Sequence, residues 1–142
     1  MKNLNLEERL ELAKEMKKRG YNCAQAVACV FAEDYGVDEA LMLRMSEAFG
    51  GGIAATQSVC GAVTGMMILA GFDNADGNTE KPATKASTYK LGKRLQADFI
   101  EKNGTVICKE LKSGEGPKGV VPCMDCILSA VEMYHNYLNE DK

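Results

Sequence analysis

The sequence predicts an all-α protein, folded as a compact single-domain bundle of about six or seven helices. Apolar residues recur three and four positions apart along most of the chain, and glycine- or proline-containing stretches separate these segments. No run alternates apolar and polar residues as a half-buried strand would. A chain of 142 residues suits one domain, so we expect a single unit over residues 1–142.

An asparagine cap marks the start of the first helix, and a glycine marks the end of each of the first two. The first is expected to begin after Asn5, with Glu8 completing a capping box, and to end at Gly20. The second is expected from roughly Asn22 to Tyr35, because Gly36 follows where a left-handed C-cap is needed.

A third helix is expected to start after the cap Asp38. Helical spacing directs Leu41, Met45 and Phe49 toward the core. The glycine run at 50–52 then removes helix propensity and predicts a tight turn followed by a loop.

From Cys60 the sequence CGAVTGMMILAG is apolar on nearly every side. It predicts a central helix that the other helices bury. Gly61 and Gly65 weaken such a helix, which suggests that another part of the chain approaches it closely. The polar, turn-rich residues 71–84 are expected to form a surface loop.

Three more helices complete the predicted bundle. An amphipathic helix is expected from about Ala86 to Lys102, and a short one holds Cys108 and Leu111 after the candidate cap Thr105. The last helix is expected to begin at Pro122, whose fixed φ suits a helix start.

Composition limits the function classes. A net charge of −3 and the absence of tryptophan argue against a nucleic-acid partner. No segment approaches the ~20 apolar residues that span a bilayer, and the charged N-terminal stretch does not resemble a signal peptide, so we expect no membrane insertion and a cytoplasmic location. The apolar excess of residues 66–71 makes a homodimer a further expectation.

The six cysteines carry the strongest chemical signal. A reducing cytoplasm disfavours structural disulfides, which leaves metal binding, redox chemistry or core packing. Cys60, Cys108 and Cys123 fall at predicted helix starts, and Cys23 lies in the first turn of the second helix. Because a helix N-terminus carries unpaired N–H groups and a positive partial charge, it favours a thiolate or an anionic cluster.

The other candidate ligands are weaker. Cys29 lies six positions from Cys23, faces another direction and is interpreted as a core residue. Cys123 and Cys126 form a CxxC motif, but it has neither the βαβ context of a thioredoxin nor the second knuckle of a zinc site. The sole histidine, His135, is expected at the surface or half-buried away from the cysteines, so a bound metal would have thiolate ligands, as iron–sulfur clusters and zinc do.

The motifs YNCAQAV, FGGGIAATQSVCGAVTG and VICKEL, followed by a late cysteine, resemble the C_GCAxxG_C_C family of redox-active proteins from about residue 22 onward. The resemblance implies four characteristic cysteines, at Cys23, Cys60, Cys108 and Cys123, with Cys126 as an alternative for the fourth. The family is also similar to the iron–sulfur domain of split-Soret cytochromes, which is helical and dimeric. That similarity implies a bound cluster.

The leading hypothesis is therefore an iron–sulfur protein for electron transfer or redox sensing, with those four cysteines as ligands and a redox partner that the sequence does not identify. The small residues Gly61 and Ala62 would let the backbone approach the cluster sulfides. Two alternatives stay open: a metal-free thiol/disulfide protein in which Cys60 attacks, and a zinc-bound structural or interaction domain. Whether the protein is an enzyme does not follow from these motifs.

Overall fold

Seven α-helices form the part of the chain, residues 4–140, that the computed structural model describes. Their bounds are Leu6–Lys18 (α1), Cys23–Val30 (α2), Glu39–Ser46 (α3), Gly61–Asn74 (α4), Lys85–Asn103 (α5), Cys108–Ser113 (α6) and Cys123–Leu138 (α7). Short 3-10 helices follow α2 and α3, at Ala32–Tyr35 and Glu47–Phe49. Those residues contain no strand beyond one isolated bridge between Val59 and Ile107. The predicted all-α class is confirmed.

Helices α2 and α4 occupy the centre of the bundle. Every residue of α2 after Cys23 is buried, and α4 packs against α2, α5 and α7. A Cβ added to Gly65 would lie 3.0 Å from both the Ala24 carbonyl oxygen and the Val27 Cβ. The glycines of α4 therefore allow the close approach that the sequence suggested, and the approaching element is α2.

The predicted caps of the first and third helices are present. The Asn5 side chain accepts from the backbone N–H of Glu8, whose carboxylate accepts from the Asn5 N–H. The Asp38 carboxylate accepts from the Leu41 N–H at the start of α3. These bonds satisfy donors that a helix start otherwise leaves unpaired.

The predicted length of the second helix is wrong, because the α-helix already ends at Val30. The chain continues as a 3-10 helix over Ala32–Tyr35 and closes at Gly36 in the left-handed conformation, with φ 65°. The Val30 carbonyl instead accepts a side-chain bond from Arg9 Nη1, 3.4 Å away.

The expected core face of α3 is also wrong. Leu41 and Met45 are 50% and 42% exposed, and Phe49 is half-buried, whereas Met42 is fully buried. Ser46 is buried as well, and its hydroxyl donates to the Met42 carbonyl at 2.7 Å. Because α3 is only eight residues long and apolar on several sides, its sequence does not specify which face turns inward.

Two boundaries differ from expectation. The predicted loop over 71–84 begins later, because α4 continues to Asn74, whose side-chain amide donates to the Ser87 and Thr88 hydroxyls on α5. Thr105 is not the N-cap of α6. That position belongs to Ile107, and the Thr105 hydroxyl accepts from the Ile107 N–H.

A buried ion pair fastens α1 to the rest of the bundle. Arg9 is 3% exposed, and its guanidinium donates to both Asp34 carboxylate oxygens at 2.9 and 2.8 Å. Its Nε also donates to His135 Nδ1, 3.1 Å away on α7. His135 is therefore half-buried in a structural contact, as expected from the sequence.

No helix within residues 4–140 is long and apolar enough to cross a bilayer. Among the apolar residues 66–71 that suggested a dimer, Met66, Leu69 and Ala70 are buried in the core of the protein. The homodimer stays a prediction.

Candidate functional site

A pocket of about 210 Å³ lies where the starts of four helices meet. Five of the six cysteines line it: Cys23, Cys60, Cys108, Cys123 and Cys126. It is named the cysteine pocket below. The structure thus brings the four predicted ligand residues to one place and adds Cys126, whereas Cys29 is buried elsewhere, with its sulfur 3.9 Å from the Glu39 carbonyl oxygen.

The helix-start positions inferred for the cysteines are confirmed. Cys23, Cys108 and Cys123 are the first residues of α2, α6 and α7, and Cys60 is the N-cap of α4. The first N–H groups of an α-helix have no helical acceptor. Those of Ala62 and Val63 lie near the Cys60 sulfur, whereas those of Cys108 and Lys109 donate to the Ser58 and Gln57 carbonyls. Four helix ends therefore direct positive partial charge toward the pocket.

Backbone hydrogen bonds hold the segments before α4 and α6 side by side. The Cys60 N–H donates to the Val106 carbonyl at 2.7 Å, and the Cys108 N–H donates to the Ser58 carbonyl at 2.6 Å. Because both bonds involve the cysteines' own backbones, they fix the separation of these two residues. A rigid frame of this kind keeps reactive or ligating groups in place.

The glycine run forms a left-handed turn along one wall of the pocket. Positive φ angles occur at Gly51, Gly52, Ile53, Ala54, Ala55 and Gln57. The conformation costs roughly 1–2 kcal/mol for each residue with a side chain. A Cβ on Gly52 would lie 2.7 Å from the Cys108 Cβ, so only glycine fits there. The sequence indicated a tight turn but not that residues 53–55, including a β-branched isoleucine, would be left-handed.

Gly61 allows Cys23 and Cys60 to share the pocket. A Cβ at Gly61 would lie 2.9 Å from the Ala24 nitrogen and 3.0 Å from the Cys23 Cβ. Contacts this short cannot form without moving α2 away from α4. The first residue of α4 therefore sets how closely the two helix starts approach.

Replacing Gly61 by alanine is expected to destabilise the protein by about 1–3 kcal/mol, because the new methyl group meets the backbone of α2. Gly71→Ala is the matched control in the same helix. Nothing lies within 4 Å of a Cβ there, so the change should be neutral or stabilise by up to ~1 kcal/mol. Urea unfolding of both variants checks this. A Gly61→Ala protein as stable as the wild type would contradict the packing described.

The thiols of the pocket interact in two pairs. The interaction with the Cys23 thiol, assisted by the Lys112 charge, lowers the pKa of Cys123, and the pKa of Cys23 rises in turn. Lys112 has a raised pKa because the charges of Cys123 and Cys108 stabilise its ammonium form. Of these two groups, Cys123 is therefore the one whose thiolate form the surroundings favour.

The second pair, Cys60 and Cys126, is more deeply buried. The interaction with Cys126 lowers the pKa of Cys60, and the N–H groups of Ala62 and Val63 contribute in the same direction without the geometry of a full capping bond. The pKa of Cys126 is raised by the same pairing and by burial. Burial raises the pKa of Cys108, the unpaired member of the set.

The rate of Cys123 alkylation by iodoacetamide in metal-free protein should fall as the pH is lowered, with a midpoint well below the ~8.5 of a free cysteine. The reason is that only the thiolate reacts, and the surroundings of Cys123 favour it. Replacing Lys112 by glutamine should move the midpoint upward. Cys29 is the internal control, because burial raises its pKa to about 12. If alkylation of Cys123 had the same pH midpoint as alkylation of a cysteine in unfolded protein, the lowered pKa of Cys123 would be contradicted.

Thiols are the metal-ligating side chains among the described residues of the pocket. Within residues 4–140, no three His, Cys, Asp or Glu side chains surround a single point as one metal ion requires. A zinc ion would need its sulfurs about 2.3 Å from a common centre. A four-iron cluster would be held by thiolates at different irons, so its ligands would not need to meet at one point. The described residues that line the pocket supply thiols and no carboxylate or imidazole.

The fold and the pocket together define an all-α protein whose chemistry is concentrated in thiols. The family model described as "Putative redox-active protein (C_GCAxxG_C_C)" matches residues 21–137, and the chain belongs to this family. No curated protein and no solved structure matches the chain. The resemblance inferred from the sequence is thereby confirmed, whereas the cofactor stays a prediction.

Proposed function

We propose that the cysteine pocket binds an iron–sulfur cluster through Cys23, Cys60, Cys108 and Cys123, and that the protein transfers electrons or senses redox state. The observation that carries this proposal is the convergence of cysteines from four helix starts on one pocket. Iron–sulfur clusters are held by four such thiolates. When bound, the cluster supplies one-electron transfer.

The charges around the pocket suit an anionic ligand. Lys17 and Lys112 are the charged residues that line it among those described, and four helix N-termini add positive partial charge. The backbone at Gly61 and Ala62 begins α4 directly after Cys60, where its N–H groups can face a sulfide. These groups would offset the negative charge of four thiolates.

The fourth ligand is assigned to Cys123 rather than Cys126. Cys123 shares with the other three its position at a helix start, whereas Cys126 lies one turn into α7 and its N–H already donates to the Pro122 carbonyl. Cys126 would then support Cys60 through the contact between their sulfurs. Apolar neighbours of the pocket, Leu111 and Val121, limit the access of water.

Purification without oxygen, after expression in iron-rich medium, tests the proposal. The expected protein is brown and contains iron and acid-labile sulfide in similar amounts, with a reversible change of visible absorption on reduction. Zinc in place of iron would favour a structural or interaction domain and overturn the proposal. A protein that stays colourless after reconstitution with ferrous iron and sulfide would overturn it as well.

A further inference from the structure

We infer that the cysteine pocket, when it holds no metal, carries out thiol–disulfide exchange with small anionic disulfides. In this reaction Cys123 attacks, Cys23 resolves, and Lys17 and Lys112 bind the carboxylates of the substrate. This activity goes beyond electron transfer by a cluster. It uses the protein without a cluster, so it does not depend on the cluster proposal being correct.

The five cysteines of the pocket fall into two groups by their solvent exposure. Cys60 and Cys108 are each 5% exposed and Cys126 is 2% exposed, whereas Cys23 and Cys123 are half-buried. A molecule that enters from solvent therefore reaches Cys23 and Cys123 first. Both residues also line the same pocket, as an attacking and a resolving thiol must.

Two lysines give the pocket its charge preference. Lys17, at the end of α1, and Lys112, at the end of α6, both line it, although the whole chain carries a net charge of −3. Within residues 4–140 neither lysine forms an ion pair with a carboxylate. Because both lysines line the pocket together with Cys123, an anion that enters it meets two ammonium groups. A disulfide carrying carboxylates matches this charge.

The exchange has two balanced steps. The Cys123 thiolate attacks one sulfur of the substrate, so that a Cys123–substrate disulfide forms and one small thiolate leaves and takes up a proton. The Cys23 thiol then loses its proton to water and attacks the Cys123 sulfur, which expels the second small thiolate; that thiolate takes up a proton from water. The protein pair is oxidised by two electrons, and one small disulfide is reduced to two thiols.

The second pair should not take part at first. Cys60 and Cys126 are too deeply buried for a bulky disulfide to reach. The structure therefore predicts a single early bond, Cys23–Cys123, with Cys29, Cys60, Cys108 and Cys126 still reduced. This connectivity joins residues one hundred positions apart and is distinct from a CxxC disulfide between Cys123 and Cys126.

The test uses reduced, metal-free full-length protein with glutathione disulfide as the anionic probe and cystamine as the cationic probe. We expect Lys112→Gln to lower the rate with glutathione disulfide, relative to the rate with cystamine, by about threefold or more, because both probes react with the same thiolate and only the anionic probe loses a favourable charge. Lys109→Gln, an exposed lysine on the same helix outside the pocket, should change neither rate. Equal effects of Lys112→Gln on both probes would overturn the role of charge.

Peptide mapping of the early product provides the second readout. A Cys23–Cys123 bond is expected, and Cys23→Ser should stop the reaction at a mixed disulfide on Cys123. A Cys123–Cys126 or Cys60–Cys126 bond as the first product would overturn the inference. Circular dichroism verifies that each variant is folded. Because no iron is present, failure here leaves the cluster assay unaffected, and failure of the cluster assay leaves this reaction measurable.

Discussion

Replacing Cys60 by serine is expected to remove at least about nine-tenths of the iron bound after anaerobic reconstitution. Cys60 is the N-cap of the central helix, and the 2.7 Å bond from its N–H to the Val106 carbonyl holds it in place. Removal of supporting groups around metal ligands already costs ~10–100-fold in affinity, and loss of a thiolate ligand should cost more. Iron analysis of the reconstituted variant measures the effect.

Two matched variants make this experiment specific. Cys29→Ser changes a buried cysteine outside the pocket and should retain the iron content of the wild type. Cys126→Ser should retain most of it, because Cys126 is assigned a supporting role beside Cys60. If Cys126→Ser loses the iron while Cys123→Ser keeps it, the fourth ligand is Cys126 and the assignment made from helix-start positions is wrong.

Replacing Arg9 by alanine is expected to lower the free energy of unfolding by about 3–5 kcal/mol, because it leaves a carboxylate without its buried partner. The guanidinium contacts Asp34 through two bonds and His135 through a third, and it lies 4.5 Å above the centre of the Phe31 ring. Its loss therefore loosens α1 from the 3-10 helix that follows α2 and from α7.

An exposed arginine provides the control for this effect. Arg94 pairs with Glu140 at the surface, where ion pairs contribute about 0–1 kcal/mol. Arg94→Ala should therefore change urea unfolding little. Similar losses for the two variants would show that burial of the Arg9 pair does not decide its contribution.

Local signals in the sequence predicted most of the helices correctly. Asn5, Asp38 and Gly36 act through contacts with residues near them in the chain, so their effects can be inferred without knowing the fold. The inward face of α3 could not be inferred in this way. Met42 is buried while Leu41 and Met45 are exposed because of packing against residues that are far away in the sequence.

The same distinction applies to the site. Helix-start positions in the sequence indicated Cys60, Cys108 and Cys123, because a helix start is a local feature. The full set of four, with Cys23, came from the family resemblance. The pairing of Cys23 with Cys123, and the inclusion of Cys126, depend on how α2, α4 and α7 pack. The role of Lys112 was likewise missed, since an exposed lysine near a helix end carries no signal in a single sequence.

Anomalous diffraction at the iron absorption edge, from crystals grown without oxygen, tests the central claim most directly. We predict iron peaks inside the cysteine pocket, bonded to the sulfurs of Cys23, Cys60, Cys108 and Cys123. Iron bound elsewhere, or a single zinc ion in the pocket, would contradict this claim.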